Sequence, residues 1–283
     1  MDPEPRALLE LTRPGNAVAA GVLTCTGAFV AGGITGTGVA TLRVGAAVGA
    51  TITATGAGNA INDYFDREID RINDPDRPIP RGAVSPRGAL GFSACLFLSA
   101  VAFAVLLPPL AIAIALVNLI SLVAYTEWFK GTPGGGNALV AYLGGSTFLF
   151  GGAAVGNPQV TVTLALLAAL STFAREVIKD VEDVDGDRAE GLRTLPVAVG
   201  TQRALWIAVG VLVVAVVASP VPFVLGTFGV AYLLVVVPAD AVMLYAAVES
   251  FSDPGSSHTH LKYGMFLAAM SFIVGRGAAV FLA

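Results

Sequence analysis

Apolar residues run through this chain in long blocks rather than alternating with polar ones. Nine runs approach the roughly 20 residues that a helix needs to cross a hydrocarbon core about 30 Å thick. They cover approximately 16–35, 39–60, 89–107, 109–128, 138–156, 160–180, 203–219, 221–248 and 262–282. Pro108-Pro109 and the Pro220/Pro222 pair mark tight turns between them. Backbone groups in lipid must be satisfied within each segment, because no water is there to take their place. The pattern therefore predicts an all-α integral membrane protein, one domain over 1–283, with about nine transmembrane helices around a central cavity. Composition agrees: 55% of the 283 residues are hydrophobic and 13% charged, against about 25% charged in a soluble domain. The net charge of −4 says little by itself, and no nucleic-acid partner is expected.

The segments between the runs alternate in character. Those after the first, third, fifth and seventh are short and almost uncharged: GGITGTG, LPPL, VGNPQ and ASPVP. The others, with the N-terminus, hold nearly all the Lys and Arg; only Arg43 and Arg276 fall elsewhere. Basic loops favour the cytoplasm, so the N-terminus and the charged loops are expected there, and the C-terminus outside. The opening MDPEPRALLELTRPGN lacks the basic-then-apolar order of a cleaved signal, so the first run is expected to stay in the membrane.

Two acidic stretches stand out on that charged side. One is Asn59-Ala-Ile-Asn62-Asp63-Tyr-Phe-Asp66-Arg-Glu-Ile-Asp70, ending the second run; the other is Asp180-Val-Glu-Asp183-Val-Asp-Gly-Asp187, ending the sixth. Asp63, Asp66 and Asp70 repeat the spacing of Asp180, Asp183 and Asp187, which puts each set on one helix face. Each stretch continues into Arg-Pro-Ile-Pro or Arg-Thr-Leu-Pro. The constant offset between the sets suggests an internal duplication of a four-helix unit. An Asp at mid-membrane costs roughly 2.5–3.5 kcal/mol, so these residues belong at an interface or in a wet cavity. Carboxylates that face one another repel, and divalent cations remove the conflict. Oxygen ligands from Asp and Asn suit Mg²⁺, which shares a substrate's phosphate oxygens. A single acidic helix end is as easily a solvated loop boundary; the matched pair is the stronger signal.

These residues carry a resemblance. NDYFDREID and DVEDVDGD resemble the NDxxDxxxD and DxxDxxxD signatures of the UbiA-type intramembrane prenyltransferases, and the likeness covers the whole chain. Within that superfamily it is similar to archaeal digeranylgeranylglyceryl phosphate synthases, through GNAINDYFDREIDRINDPDRPIPRG, REVIKDVEDVDGDRAEGLRTLPVAVG and GNALVAYLGGSTFLFGG. The resemblance implies two Mg²⁺ ions that clamp a prenyl diphosphate. Their ligands would be Asn62, Asp66, Asp183 and Asp187, supported by Asn59, Asp63, Asp70 and Asp180.

A diphosphate needs further cations. Arg77 and Arg81 follow the first stretch, Lys130 ends the fourth run, and Arg175 and Lys179 lie one turn apart just before Asp180. Arginine suits forked contacts with phosphate and lysine acts as a point charge. The resemblance places Lys130 at a diphosphate-binding lysine, and Asp66, Asp183 and Lys130 are the expected catalytic set. Arg87, Arg188 and Arg203 are read as topogenic only. Arg13 and Asn16, opening the first run, either seat the acceptor or simply start a helix. Thr132–Asn137 reads as a flexible turn and not a P-loop, and His258 and His260 read as loop residues. Tyr125 and Tyr142 are candidates for a cavity wall, with core packing the default. Asp240 is either a second polar feature or the partner of Arg276.

The expected reaction is ionisation of geranylgeranyl diphosphate and capture of the allylic cation by the free hydroxyl of geranylgeranylglyceryl phosphate, at the edge of the membrane lipids. The resemblance leaves open an aromatic quinone precursor or a haem as acceptor. From the residues alone, a cation transporter is the rival, since acidic helices also line ion paths.

Overall fold

The computed structural model describes residues 4–33 and 38–281, and they are helical almost throughout. Among the described residues, nine long helices fall on the apolar runs and four short ones lie between or before them. They are α1 (Pro5–Leu11), α2 (Pro14–Val30), α3 (Gly38–Asn73), α4 (Pro86–Ala104), α5 (Pro109–Ala124), α6 (Gly135–Ala154), α7 (Val162–Glu182), α8 (Val184–Ala189), α9 (Leu195–Val199), α10 (Thr201–Ala218), α11 (Val221–Val224), α12 (Val230–Glu249) and α13 (Pro254–Phe281). Proline opens many of them, where its fixed φ suits the first turn and its missing N–H costs nothing. At α4 the Ser85 hydroxyl adds a cap, accepting from the Gly88 amide at 3.0 Å.

Among the described residues, six helical segments are long and apolar enough to cross a membrane: Pro86–Ala104, Pro109–Phe129, Pro158–Glu182, Thr201–Val224, Val230–Glu249 and Pro254–Val280. The other three expected runs fall on α2, a shorter apolar helix, on α3 and on α6. At 36 residues, α3 is about 54 Å long, more than the thickness of a hydrocarbon core. It therefore carries the whole first acidic stretch as a continuous extension of its apolar part. Leu42, Leu98, Val217, Val224 and Val248 are all at least 70% exposed on the outer faces, as a lipid-facing surface requires.

Two boundaries differ from the sequence reading. The run 221–248 is broken into α11 and α12, with Gly226 between them at φ +71°. The last helix starts at Pro254 rather than near 262, so His258 and His260 are helical and not loop residues. The cause is local: the Asp253 carboxylate accepts from the Ser256 amide at 3.0 Å, a cap placed directly before a proline. Part of the first neutral turn, 34–37, lies outside the described residues.

Neighbouring long helices pack side by side from α2 to α13, and α13 returns to α2, which closes the ring. Inside it, α6 is wedged between α2 and α7 by glycine. A Cβ at Gly151 would lie 2.0 Å from the Thr24 carbonyl oxygen, and one at Gly27 would lie 2.2 Å from that of Phe148. On the opposite side of α6, a Cβ at Gly145 would meet the Ala165 carbonyl oxygen at 2.3 Å. Such close backbone approach is how membrane helices gain packing energy when apolar side chains gain nothing over lipid.

Gly151→Ala is therefore expected to lower the unfolding free energy by about 1–3 kcal/mol, the usual cost of overpacking. Gly91→Ala, whose Cβ meets nothing within 4 Å, should leave stability unchanged or slightly raised. Thermal unfolding of the two purified variants in one detergent checks this, and equal melting temperatures would contradict the packing account.

Candidate active site

The acidic stretches lie at the ends of α3 and α7, and they meet through Lys130. That lysine follows α5 after a π turn, Tyr125–Phe129, of the kind often found at functional positions. Its Nζ lies 2.5 Å from Asp66 Oδ2, which also accepts from Asn62 Nδ2 at 2.8 Å. Lys130 lines a small polar cleft together with Asn137, Glu176, Asp180 and Thr194. A residue from the middle of the chain thus contacts the first stretch and borders the cleft that Asp180 of the second stretch lines.

The remaining aspartates are each engaged. Asp63 accepts from Arg13 at 2.6 Å and from Arg77 at 3.3 Å. Asp70 accepts from Arg77 at 2.9 Å, and Asp74 takes a third contact from the same guanidinium at 2.8 Å. Asp180 accepts from Asn137 at 2.7 Å, Asp183 pairs with Lys179 at 2.5 Å, and Asp187 accepts from Thr194 at 2.8 Å. Asn59 ties α3 to the turn between α1 and α2, donating to Thr12 O at 2.8 Å. Burial pushes the Asp70 carboxyl above the ordinary carboxylate range, with Arg77 opposing it. It does the same to Asp187, with Thr194 opposing. The second stretch does not follow one helix: α7 stops at Glu182 and α8 starts at Val184, although the Asp183 amide still reaches Lys179 O at 3.0 Å. The Asp-Val-Asp-Gly-Asp run supplies poor helix formers at that junction.

Arg13 is the only non-glycine residue with positive φ among the described residues, at +47°. A bulky side chain rarely adopts that conformation. Here the twist joins α1 to α2, while α1 packs Ala7 and Leu11 against Ala60, Ile79, Val84 and Ala89. The other sequence-assigned cations are dispersed. Arg81 donates to Glu10 at 2.6 Å and to Asp76 O at 2.7 Å, while Arg175 pairs with its neighbour Glu176.

Behind the polar cluster lies a cavity of about 660 Å³. Arg13, Asn16, Asn59, Tyr125, Arg175, Glu176 and Lys179 line one part of it, and Leu23, Leu119, Phe148, Phe150, Leu167 and Phe272 line the apolar remainder. Tyr125 is on this wall and Tyr142 is not. Asp240 also lines it, and it accepts from Ser219 at 2.5 Å rather than pairing with Arg276.

The donors of the two stretches are all carboxylate or amide oxygens, the chemistry Mg²⁺ prefers. Asn62 Oδ1, beside Asp66, is buried without a hydrogen-bond partner, so an unused ligand atom is present. Among the described residues no three His, Cys, Asp or Glu side chains form a metal cluster on their own. The aspartates are held by protein cations, amides and a hydroxyl, and the residues fit the ion as a set completed by substrate oxygens.

Sequence reading passed over Asn137 as part of a flexible turn and did not weigh Glu176 or Thr194. A signal for Asn137 exists: the triplet Gly-Asn-Ala begins at Gly15, Gly58 and Gly136, so this Asn opens α6 as Asn16 opens α2.

The Arg77 contacts have a consequence for stability. Removing one partner of a buried ion pair costs about 3–5 kcal/mol, and Arg77 still has 29% exposure, so Arg77→Ala should cost about 2–3 kcal/mol. Arg77→Lys should recover only part, because one ammonium cannot serve three carboxylates in a fixed fork. Thermal unfolding measures both, and a variant as stable as the parent would contradict the bracing role.

Known proteins match this fold and sequence over nearly their whole lengths. The digeranylgeranylglyceryl phosphate synthase of Natronomonas pharaonis is 62% identical over 276 residues, covering 97% of this chain and 98% of that protein. The synthase of the same name from Halobacterium salinarum strain R1 is 63% identical over 271 residues, covering 96% and 97%. A solved structure described as giving structural and mechanistic insights into the biosynthesis of digeranylgeranylglyceryl phosphate synthase in membranes aligns with a TM-score of 0.83 at 33% identity, covering 96% of this chain and 98% of that one. A UbiA homolog from Archaeoglobus fulgidus bound to GPP and Mg²⁺ shares the fold, with a TM-score of 0.67 at 17% identity and 98% and 100% coverage. The profile of the UbiA prenyltransferase family matches residues 20–270. With two acidic helix ends joined over a lipid-sized cavity and relatives of this closeness, the chain belongs to the UbiA prenyltransferase family.

Proposed function

We propose that the protein transfers a geranylgeranyl group from geranylgeranyl diphosphate to the free hydroxyl of geranylgeranylglyceryl phosphate, forming the second ether of an archaeal lipid core. The observation that carries this reading is that the polar cleft at Lys130, which pairs with Asp66, shares Tyr125, Val140 and Glu176 with the wall of a largely apolar cavity of about 660 Å³. A diphosphate with a long hydrocarbon tail has that shape and that polarity. At about 0.8 kcal/mol per CH₂, a C20 chain resists leaving lipid, so the tail belongs among the helices and its charged head at their ends. The two relatives named above are synthases of this ether lipid.

In this reading Asn62, Asp66, Asp183 and Asp187, with Asn59, Asp63, Asp70 and Asp180 behind them, would hold two Mg²⁺ ions whose charge offsets that of the diphosphate. Lys130 would exchange its contact with Asp66 for a phosphate oxygen. Arg175 and Lys179, on the cavity wall, would stabilise the charge that grows on the leaving group, with Arg77 and Arg81 adding positive charge beyond the first stretch. The bond from the prenyl C1 to the diphosphate oxygen breaks and its electron pair leaves with the diphosphate. The acceptor hydroxyl oxygen attacks the allylic cation, and its proton passes to a carboxylate or to a departing phosphate oxygen. Arg13 and Asn16 would seat the acceptor. All nine apolar runs would cross the membrane as two four-helix repeats and a last helix, with the N-terminus and the acidic stretches on the cytoplasmic side, as the distribution of basic loops requires.

The test uses purified protein with Mg²⁺ and labelled geranylgeranyl diphosphate. Label should enter geranylgeranylglyceryl phosphate and not hydroxybenzoate, and the reverse would overturn the acceptor assignment. Chelation should stop transfer and Mg²⁺ restore it. Asp66→Ala and Asp183→Ala should each lower turnover on the order of 100-fold or more, and unchanged turnover in either would end the metal-clamp reading.

A further inference from the structure

The reaction brings two anions together, a diphosphate donor and an acceptor with its own phosphate, so charge on the cavity wall must be divided between them. The chain has three lysines, Lys130, Lys179 and Lys262, and all three line the polar cleft or the cavity. Lys130 and Lys179 are paired with Asp66 and Asp183 of the acidic stretches. The cavity's two arginines are paired as well, Arg13 with Asp63 and Arg175 with Glu176. Lys262 alone among these cations has no carboxylate within ion-pair distance among the described residues.

Its setting is also specific. Lys262 lies on α13 about 12 Å along the axis from Pro254, and it is exposed while lining the cavity, which places it at an opening in the wall. In the turn before it, the His260 ring is hydrogen-bonded to Glu249 of α12 at 2.6 Å, and His258 lies beside Glu182 of α7. His258 and Lys262 are four residues apart and share a helix face, so the face that His258 turns toward α7 also carries Lys262, which lines the cavity. The exposed Asn16 of α2, a helix that α13 packs against, lines the same cavity.

We propose that Lys262, with Asn16 on the wall of the same cavity, binds the phosphate monoester of the acceptor. This assignment rests on the acceptor reading above and deepens it. It keeps the acceptor's charge away from the diphosphate at Lys130, and it leaves the glycerol hydroxyl free to extend into the cavity. The lysine's single point charge suits a phosphate that must arrive from lipid and leave again with the product.

The experiment compares Lys262→Met and Lys262→Arg with the parent protein, using geranylgeranylglyceryl phosphate and the same lipid without its phosphate. Lys262→Met should raise the KM for the phosphorylated acceptor on the order of 10- to 100-fold, the range of a lost charge-assisted contact. The KM for the donor should stay the same, and so should the constant for the unphosphorylated lipid, read as an inhibition constant if its turnover is slow. Lys262→Arg should retain most of the affinity. Equal losses on both lipids, or no change on either, would overturn the assignment while leaving the proposed reaction intact. A parent protein that transfers nothing to geranylgeranylglyceryl phosphate would remove the acceptor reading, and the Lys262 assignment with it.

Discussion

Carboxylates placed beside hydrocarbon must be neutralised, and the arrangement of this molecule follows from how that is done. Six aspartates stand at the ends of α3 and α7, next to a cavity with apolar walls. Left alone they would repel one another and push the helix ends apart. The Lys130–Asp66 contact spans 64 residues of sequence and binds the end of α5 to α3. The same lysine then faces Asp180 and Thr194 across the cleft. A cation set between two acidic helix ends offsets locally the charge that a phosphate-bound metal would offset in the proposed reaction.

The glycines of α6 solve the complementary problem of space. A ring of helices around a central cavity needs one element that can lie close to two neighbours, or the ring loses contact on one side. Gly27, Gly151 and Gly145 bring α2, α6 and α7 to backbone contact, which fixes α7 and therefore the second acidic stretch. Room for a chain-like ligand is left on the other side of these helices, where Phe148 and Phe272 meet edge to face with ring centres 5.7 Å apart. Close packing at one helix interface thus makes an open volume possible beside it.

Much of this could be read along the chain because hydropathy and spacing are local properties. The apolar runs fall on helices, and the repeated Asp spacing falls at the ends of α3 and α7. What escaped reading depends on contacts made in space. The capped start of α13 had a local signal in Asp253-Pro254, but it was masked by the polar residues that follow. Arg77 looked like a phosphate ligand because it follows an acidic motif, yet its guanidinium is directed to Asp63, Asp70 and Asp74. Asn137 sat in a glycine-rich turn that reads as loose, and it became a ligand of Asp180 only once α6 was laid against α7. Lys262 followed the rule that basic residues gather on one side, so nothing in one dimension separated it from topogenic charges.

The division between arginine and lysine across the site has a physical reason. Arginine binds carboxylates through several fixed donors, so releasing it breaks several contacts together. The residues it holds, Asp63 and Asp70, are 4% and 5% exposed and brace the end of α3 behind the more accessible carboxylates. Lysine makes one contact with a mobile ammonium, which a phosphate oxygen can replace at small cost. Asp66 and Asp183, the two carboxylates held by lysine, are also the more accessible, with side chains 15% and 46% exposed. A site that must exchange a highly charged ligand in every cycle needs both kinds of contact, rigid ones to keep the helix ends together and exchangeable ones where the ligand arrives. The same reasoning explains why the part of α3 that carries the acidic residues continues as one unbroken helix, since the braced aspartates and the exchanging one must keep a fixed register along it.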